Sequence, residues 1–302
     1  MRIVVHGQQA FGQAVLQKLI ERGENIVAVC TAPDQEGRPL DPLKELAIEH
    51  KITVHQPASW KTDEALELMK SFDADVCMMA YVLLFVPSAV LDTPKHGSFQ
   101  YHPSLLPMHR GPSSINWPIS MGATKTGLTI FWPDDGLDEG PILMQKECEI
   151  GPDETLGDVY FKKLFPMGVD AMIESLDLVK AGDAPRIEQD LSLGSYESWF
   201  GKEQAQIDWF NDASTVYNKI RAANPQPGAW TLHGDQELKI FDSRKSDIDG
   251  PAGQVLAVDD ESFTVGTADG SIRIMRVRAD QGKVGSAEYV ASSGLSVGDS
   301  LG

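Results

Sequence analysis

Two short motifs of this chain carry the residue types that general acid–base chemistry needs. His102 lies between the strand-like stretch HGSFQY and the proline-bounded segment PSLLP, and Asp138 lies in the acidic, turn-rich loop PDDGLDEGP. A histidine beside a carboxylate has its tautomer fixed and its cationic form stabilised, which suits proton transfer near neutral pH. The residue types alone are equally compatible with a structural histidine and a solvated acidic loop.

The elements around these motifs predict an α/β fold with a Rossmann-like, mostly parallel sheet. The runs RIVVHG and NIVAVCT flank the helix-periodic stretch QAFGQAVLQKLIERG, which makes a strand–helix–strand unit. The run ADVCMMAYVLLF is interpreted as a strand covered on both faces, and KTGLTIFW with ILMQKECEI as a strand pair joined by loop 133–141. Open α/β sheets bind ligands at the carboxyl ends of their strands, where HGSFQYH places His102.

The sequence pattern changes in the C-terminal third of the chain, and this change predicts a second domain. A long amphipathic helical stretch ends at Gly182, and a polar, irregular segment follows it. Beyond the helix-like DASTVYNKIRAAN, short alternating strands are broken by Gly and Asp, as in a small antiparallel barrel. We therefore predict a catalytic domain over 1–183, a linker over 184–204 and an OB-like β-barrel domain over 205–302.

Composition narrows the classes of partner and cofactor. The formal charge of −18 disfavours nucleic acid, which needs a basic patch. Three scattered cysteines without a CxxC or a His/Cys cluster predict no metal site and a reducing cytoplasm. The stretch GQQAFG resembles a dinucleotide fingerprint but lacks its middle glycine and the later acidic residue, so no NAD is expected. Apolar runs are too short to span a membrane.

The pair YHPSLLPMHRG and DDGLDEGPIL resembles the folate-dependent formyltransferase family, and the resemblance extends through IRAANPQPGAW to the closing LSVGDSLG. It implies a catalytic trio of asparagine, histidine and aspartate, whose last two members map to His102 and Asp138. The asparagine position, two before the histidine, is Gln100 in this chain. Glutamine keeps the amide, which in the family donates to the developing oxyanion, but adds one methylene to its reach.

The resemblance further implies 10-formyltetrahydrofolate as the formyl donor, with neither metal nor NAD. The pterin is expected beside the strand that precedes VLLFVP and under the acidic loop. The residues expected to bind the folate are Met79, Ala80, Tyr81, Leu83, Asp134 and Gly136, and those expected to position the substrate are Ser104, Arg110 and Gly111.

Three features favour the family's formyl-folate hydrolase branch over its tRNA-formylating branch. The loop TAPDQEGRPLDPLKELA is short and carries only two basic residues, AYVLLFVP has one residue more than the tRNA enzyme's segment, and GPSSINWPI matches the hydrolase pattern. Water or a small amine is therefore the expected acceptor. Transfer to initiator methionyl-tRNA, and a folate-binding module with little turnover, are the alternatives. We expect a monomer or a weak homodimer.

Overall fold

The computed structural model describes residues 1–279 and 282–302. The first half of the chain contains a seven-stranded sheet. The strand order is β3-β2-β1-β4-β5-β6-β7. The neighbours from β3 to β5 pair in parallel, and β6 pairs antiparallel with β5. This confirms the predicted parallel-rich α/β sheet. Its strands are β1 (Arg2–Gly7), β2 (Asn25–Cys30), β3 (Val54–His55), β4 (Val76–Ala80), β5 (Ser98–His102), β6 (Lys125–Phe131) and β7 (Ile142–Glu149).

The helices begin and end where the sequence supplies caps. The side chain of Thr62 accepts from the backbone N–H of Ala65 and starts α3, and Gly182 closes α7 in the left-handed conformation with φ 78°. A π-helical turn, Tyr160–Leu164, separates α6 from α7 just before Pro166. The helices are α1 (Gln9–Glu21), α2 (Pro42–Glu49), α3 (Asp63–Ser71), α4 (Ser88–Leu91), α5 (Asn116–Ser120), α6 (Leu156–Val159), α7 (Phe165–Ala181), α8 (Ala213–Ala222) and α9 (Ser286–Ser293).

The order in which strands are added to the sheet reverses between β1 and β4. Strands β2 and β3 lie on one side of β1, and β4 and β5 lie on the other, so the carboxyl ends of β1 and β4 form a topological switch point. Gly7 ends β1 opposite Ala80, and a Cβ on Gly7 would collide with the carbonyl oxygen of Ala80. The first glycine of GQQAFG is therefore required by the close approach of these two strands.

Strand β4 is shorter than the apolar run that contains it. Val76–Ala80 is fully buried, but the strand ends there, because Tyr81 takes a left-handed conformation with φ 67°. The rest of the run is a loop that exposes Tyr81, Leu83 and Phe85 by 39%, 59% and 48%. The prediction of one long buried strand over ADVCMMAYVLLF is therefore wrong beyond Ala80.

A second, antiparallel sheet lies in the C-terminal part of the chain. Its order is β10-β11-β12-β9-β8, with β13 paired to β12. The predicted OB-like barrel is not confirmed: over the described residues the strands form no closed barrel, and the two outer strands are reached by single bridges, Gln206↔Trp230 and His233↔Leu301 at β8 and Gln254↔Ser300 beside β10. The strands are β8 (Ala229–His233), β9 (Gln236–Ser246), β10 (Val255–Val258), β11 (Phe263–Gly266), β12 (Ser271–Ala279) and β13 (Gly282–Gly285).

Two compact units divide the chain. The first comprises residues 1–111, 127–148 and 163–196, and the second comprises 112–126, 149–162 and 197–302. Each unit has its own sheet and is described by itself below. The boundaries at 183 and 205 stay a prediction. Over residues 1–279 and 282–302, every helix is too short or too polar to cross a membrane.

Candidate active site

His102 is the last residue of β5 and is 6% exposed at the carboxyl edge of the sheet. Its Nε2 lies 3.0 Å from the carbonyl oxygen of His109. Because a carbonyl only accepts, Nε2 must carry the proton that it donates there. In the neutral ring Nδ1 is then the free acceptor, and it lies 3.7 Å from Oδ2 of Asp138. The ring is therefore held with its basic nitrogen towards a carboxylate.

Asp138 is held in a strained backbone conformation with its carboxylate aimed at His102. Its φ is 56°, which non-glycine residues seldom adopt. The backbone N–H of Gly111 donates to its Oδ2 at 2.9 Å, and the side-chain amide of Gln189 donates to its carbonyl oxygen at 3.0 Å. His109 and Tyr81 also have positive φ, so three such residues gather near this edge. Strain of this kind is typical of functional sites.

Two contacts join the sequence motifs: Arg110 forms an ion pair with Glu139, and the backbone N–H of Gly111 donates to Asp138. Within the first motif, His109 contacts His102. The guanidinium of Arg110 is thus used to tie the HRG segment to the acidic loop, and Gly111 acts through its backbone N–H. Both residues therefore join the HRG segment to the acidic loop.

Two contributors to this site were missed in the sequence, because both lie in the segment that we predicted to be a linker. Gln189 holds the carbonyl oxygens of Asp138 and Gly140 at 3.0 and 2.7 Å, and Ser195 Oγ accepts from the backbone N–H of His109 at 3.0 Å. A polar residue in an irregular stretch gives no local signal of such long-range contacts.

Gln100 lies two residues before His102 on the same strand, so their side chains share one face of the sheet. It pairs with Met79 on β4 and with Phe131 on β6 and is half-buried. Within the described residues no protein group hydrogen-bonds its side-chain amide. The amide is therefore available to a bound molecule beside His102.

The residues predicted to bind the folate fall into two groups. Met79 and Ala80 are buried in β4, where Met79 pairs with His6 and Gln100 and the carbonyl oxygen of Ala80 accepts from the backbone N–H of Gln8 at 3.2 Å. Tyr81 and Leu83 present exposed apolar surface just beyond the strand. Asp134 accepts from the backbone N–H of Gly136 at 2.9 Å, which shapes the acidic loop. In the same loop, Oδ1 of Asp135 accepts from the backbone N–H of Ser88 at 3.0 Å. This contact brings the loop to the segment that follows β4.

Ser104 is placed inside the turn that follows His102. It is fully buried, its hydroxyl donates to the carbonyl oxygen of Met108 at 2.7 Å, and its own carbonyl oxygen accepts from the Thr129 hydroxyl at 2.7 Å. These bonds fix the PSLLP turn and hence the start of the HRG segment. Any part of Ser104 in positioning a substrate would act through that turn.

The chain matches known protein families over both of its parts. Residues 1–176 match the formyl transferase family, and residues 200–293 match the formyl transferase C-terminal domain. The cytosolic 10-formyltetrahydrofolate dehydrogenase of Xenopus tropicalis is 42% identical over 264 residues, which are 85% of this chain but 29% of that relative. The methionyl-tRNA formyltransferase of Geobacter sulfurreducens is 36% identical over 308 residues, covering 100% of this chain and 97% of that enzyme.

A solved structure shares the fold at low sequence identity. The N-formyltransferase from Helicobacter canadensis, in complex with folinic acid and dTDP-3-aminofucose, superposes with a TM-score of 0.69 at 19% identity, covering 91% of this chain and 98% of that one. Because the sequence matches span both parts of the chain and include a relative aligned over 97% of its length, this chain belongs to the formyl transferase family.

Proposed function

We propose that this chain moves the N10 formyl group of 10-formyltetrahydrofolate to water or a small amine. The observation that carries the proposal is the buried pair of His102 and Asp138, with Nδ1 and Oδ2 3.7 Å apart at the carboxyl end of β5. The family membership supports formyl chemistry, and the first relative named above carries formyltetrahydrofolate in its own name. This chain spans about 29% of the length of that relative, so its whole activity is not carried over.

A folate could bind to the exposed apolar surface that follows β4. Tyr81, Leu83 and Phe85 expose apolar side chains beyond β4, beside a switch point where α/β sheets bind ligands. Backbone groups at Met79 and Ala80 and the acidic loop at Asp134 and Gly136 would read the polar edge of a pterin. When bound, the folate supplies the formyl carbon that is to be attacked.

His102 would move the proton. With Nε2–H fixed on His109, its Nδ1 accepts a proton from the attacking water or amine, and the same proton is then available for the departing nitrogen. Asp138 stabilises the imidazolium that forms, and the N–H of Gly111 keeps the carboxylate turned towards the ring. Both side chains are nearly excluded from solvent, which strengthens their interaction.

Gln100 would supply the amide donor for the carbonyl oxygen as it gains negative charge. Its side chain shares the strand face of His102, and its amide is not used by the described protein groups. A donor already in place at the oxyanion is worth a large factor in rate. Gln100 therefore takes the role of the family's asparagine, with a longer reach.

We propose a small acceptor because the loop after β2 has few free cations that could bind RNA phosphates. Lys44 forms an ion pair with Asp34 and donates to the side chain of Gln56 at 2.8 Å, so one of the two basic residues of this loop is already neutralised. The chain as a whole carries a formal charge of −18. Binding to RNA phosphates depends on free cations.

A second candidate is the formylation of initiator methionyl-tRNA. The specific observation that favours it is the relative from Geobacter sulfurreducens, which matches this chain over nearly the full length of both proteins. A cytoplasmic location suits either candidate and stays a prediction, because the relatives include both cytosolic and mitochondrial proteins.

One experiment separates these candidates. The purified chain is incubated with 10-formyltetrahydrofolate alone, with a panel of small amines including amino sugars, and with charged initiator tRNA, while release of tetrahydrofolate and formylation of each acceptor are measured together. We expect folate release with water or an amine and little formyl-methionyl-tRNA. Efficient formylation of the tRNA would favour the second candidate, and binding of the folate without release in any arm would overturn both.

A further inference from the structure

We propose that the C-terminal unit holds a binding site for a phosphate-type dianion, separate from the formyl chemistry. A cavity of about 200 Å³ lies within this unit. That volume is below the roughly 300–1,000 Å³ typical of sites for drug-sized ligands, so the cavity suits a small ion or the head of a larger molecule. Its lining is formed by Asp153, Thr155, Tyr217, Arg221, Asn224, Phe241, Asp242, Ser243, Arg244, Arg276 and Lys283.

The charge of the lining opposes that of the chain. Four cations and two carboxylates face the cavity, a formal excess of two positive charges on a protein of net charge −18. Arg244 is paired with Asp242 at 3.3 Å, with both side chains half-exposed. Arg276 and Lys283 form no ion pair with any described carboxylate, although Lys283 lies 4.1 Å from the centre of the Phe241 ring. Two cations at the mouth are therefore free to meet an anion.

A buried arginine forms the inner wall. Arg221 is 5% exposed, and its Nη atoms donate to the carbonyl oxygens of Gly151 and Glu154 at 3.2 and 2.8 Å and to Oδ1 of Asn218 at 2.7 Å. None of these acceptors is a carboxylate, and burial lowers the pKa of the guanidinium. The negative charges of Asp153 and Glu154 oppose this effect of burial, and an anion in the cavity would add to their compensation of the buried cation.

Two buried polar atoms of the lining have no hydrogen-bond partner among the residues that the structure describes. Nε of Arg221 and Oγ of Ser243 are both inaccessible and unpaired, and Ser243 is 3% exposed. Buried polar groups are nearly always hydrogen-bonded, so an unused N–H and hydroxyl on the wall of a cationic cavity indicate a missing acceptor. Guanidinium groups match phosphate geometry and are preferred wherever phosphate is recognised.

The carboxylate of Asp153, which lines the cavity, is hydrogen-bonded to a neutral tyrosine. The hydroxyl of Tyr217 donates to Oδ1 of Asp153 at 2.6 Å, and burial together with this bond raises the pKa of Tyr217 to about 12. Asp153 is thus occupied by the tyrosine and is not in an ion pair with the cations of the wall. The unpaired donors of the cavity remain directed to a ligand.

The test titrates inorganic phosphate and, separately, glycerol 1-phosphate into the full chain by calorimetry, at an ionic strength held constant with NaCl. We expect one saturable site. The double variant Arg276→Ala/Lys283→Ala should weaken it about tenfold or more, the range for lost charged hydrogen bonds, whereas Arg273→Ala, on the same strand but outside the lining, should not. If glycerol 1-phosphate binds more tightly than inorganic phosphate, the site is assigned to an organic phosphate. If the two bind with equal affinity, the site is assigned to the free phosphate ion.

Ser243→Ala gives a second, independent readout. Because its hydroxyl has no partner without ligand, the free energy of unfolding in phosphate-free buffer should be unchanged or slightly higher, while the phosphate affinity falls. The proposal is overturned if neither anion binds saturably up to about 10 mM, a free energy near −3 kcal/mol. It is equally overturned if the double variant and Ser243→Ala bind as the Arg273→Ala control does. Formyl transfer is not measured, so failure here leaves the proposed function intact.

Discussion

The backbone N–H of Gly111 donates to Oδ2 of Asp138 at 2.9 Å, and the same oxygen faces Nδ1 of His102 at 3.7 Å. A glycine with φ 105° thus aims the carboxylate of one motif at the histidine of the other. The spacing of HRG after PSLLP and of LDEG in the acidic loop is explained by this contact and by the Arg110–Glu139 ion pair beside it.

The proposed catalytic pair, His102 and Asp138, gives the first prediction. His102→Ala and Asp138→Asn should each lower turnover by about a hundredfold or more, since each removes a positioned proton-transfer or charge-stabilising group. Steady-state release of tetrahydrofolate measures the effect, with circular dichroism to check the fold. His96→Ala and Asp183→Asn, which change residues of the same type outside the site, are the matched controls. Near-normal turnover of Asp138→Asn would show that its charge is not needed.

Gly111 gives a test of positioning as distinct from folding. Gly111→Ala should lower kcat and also lower stability by about 1 kcal/mol or more, because alanine is strained at positive φ. Gly23→Ala is the control: Gly23 has φ 69° and open space around its Cβ position, so it should lose stability without losing turnover. Equal kcat in the two variants would remove Gly111 from the positioning of Asp138.

Gln100 separates transfer from hydrolysis. If its amide binds the oxyanion, Gln100→Leu should lose roughly 10²–10³ in turnover, as when one oxyanion donor is removed. A small loss in Gln100→Leu would instead indicate a hydrolase that works without the amide. Gln100→Asn restores the family's shorter reach and should raise transfer to amines relative to water. If both variants keep the parent rate and acceptor preference, Gln100 is a packing residue.

Binding of initiator tRNA should be weak and should fall steeply with salt. The loop after β2 has one of its basic residues neutralised by Asp34, so few phosphates can be neutralised. Fluorescence anisotropy with labelled tRNA at several NaCl concentrations gives both affinity and slope. Tight binding that persists at high salt would reverse the ranking of the two candidate functions.

His6 predicts an acid-dependent loss of stability. It is 4% exposed, its Nε2 accepts from the indole N–H of Trp60 at 3.2 Å, and burial lowers its pKa to about 3. In the unfolded chain the pKa of this histidine is about 6.5. Its contribution to the free energy of unfolding is therefore complete above pH 6.5 and is lost as the pH falls from 6.5 towards 3, because the unfolded chain then binds a proton that the folded protein does not. The slope from this one residue should be at most about 1.4 kcal/mol per pH unit.

Urea unfolding at pH 7 and pH 5 measures this effect. His6→Gln keeps an acceptor for Trp60 but does not titrate, so it should show a smaller fall in the free energy of unfolding between the two pH values than the parent. His96→Gln, which changes an exposed histidine, should fall as the parent does. A parent-like fall in His6→Gln would assign the acid sensitivity to other groups.

Much of the fold was predictable because it rests on local patterns. Apolar runs and helix period placed β1, α1, β2 and β5, and alternating residues placed the strands from β9 to β12. The end of β4 was not predictable, since Tyr81 and Leu83 continue its apolar pattern and only the positive φ of Tyr81 ends the strand. Whether the strands of the second sheet close into a barrel was likewise not predictable, because closure depends on pairing between distant strands.

For the site, the sequence by itself identified His102 and Asp138 as the candidates, because each has a residue type that suits proton transfer and lies in a motif that resembles the formyltransferase family. Only the tertiary structure decided how they are held: the proton of His102 on Nε2, the N–H of Gly111 on Asp138, and Gln189 and Ser195 entering from a segment that has no pattern of its own. Residue type fixes what chemistry a side chain can do. The residues that hold the site come from distant parts of the chain: Gln189 lies 51 residues from Asp138, and Ser195 lies 86 residues from His109. Such long-range contacts leave no pattern in the local sequence.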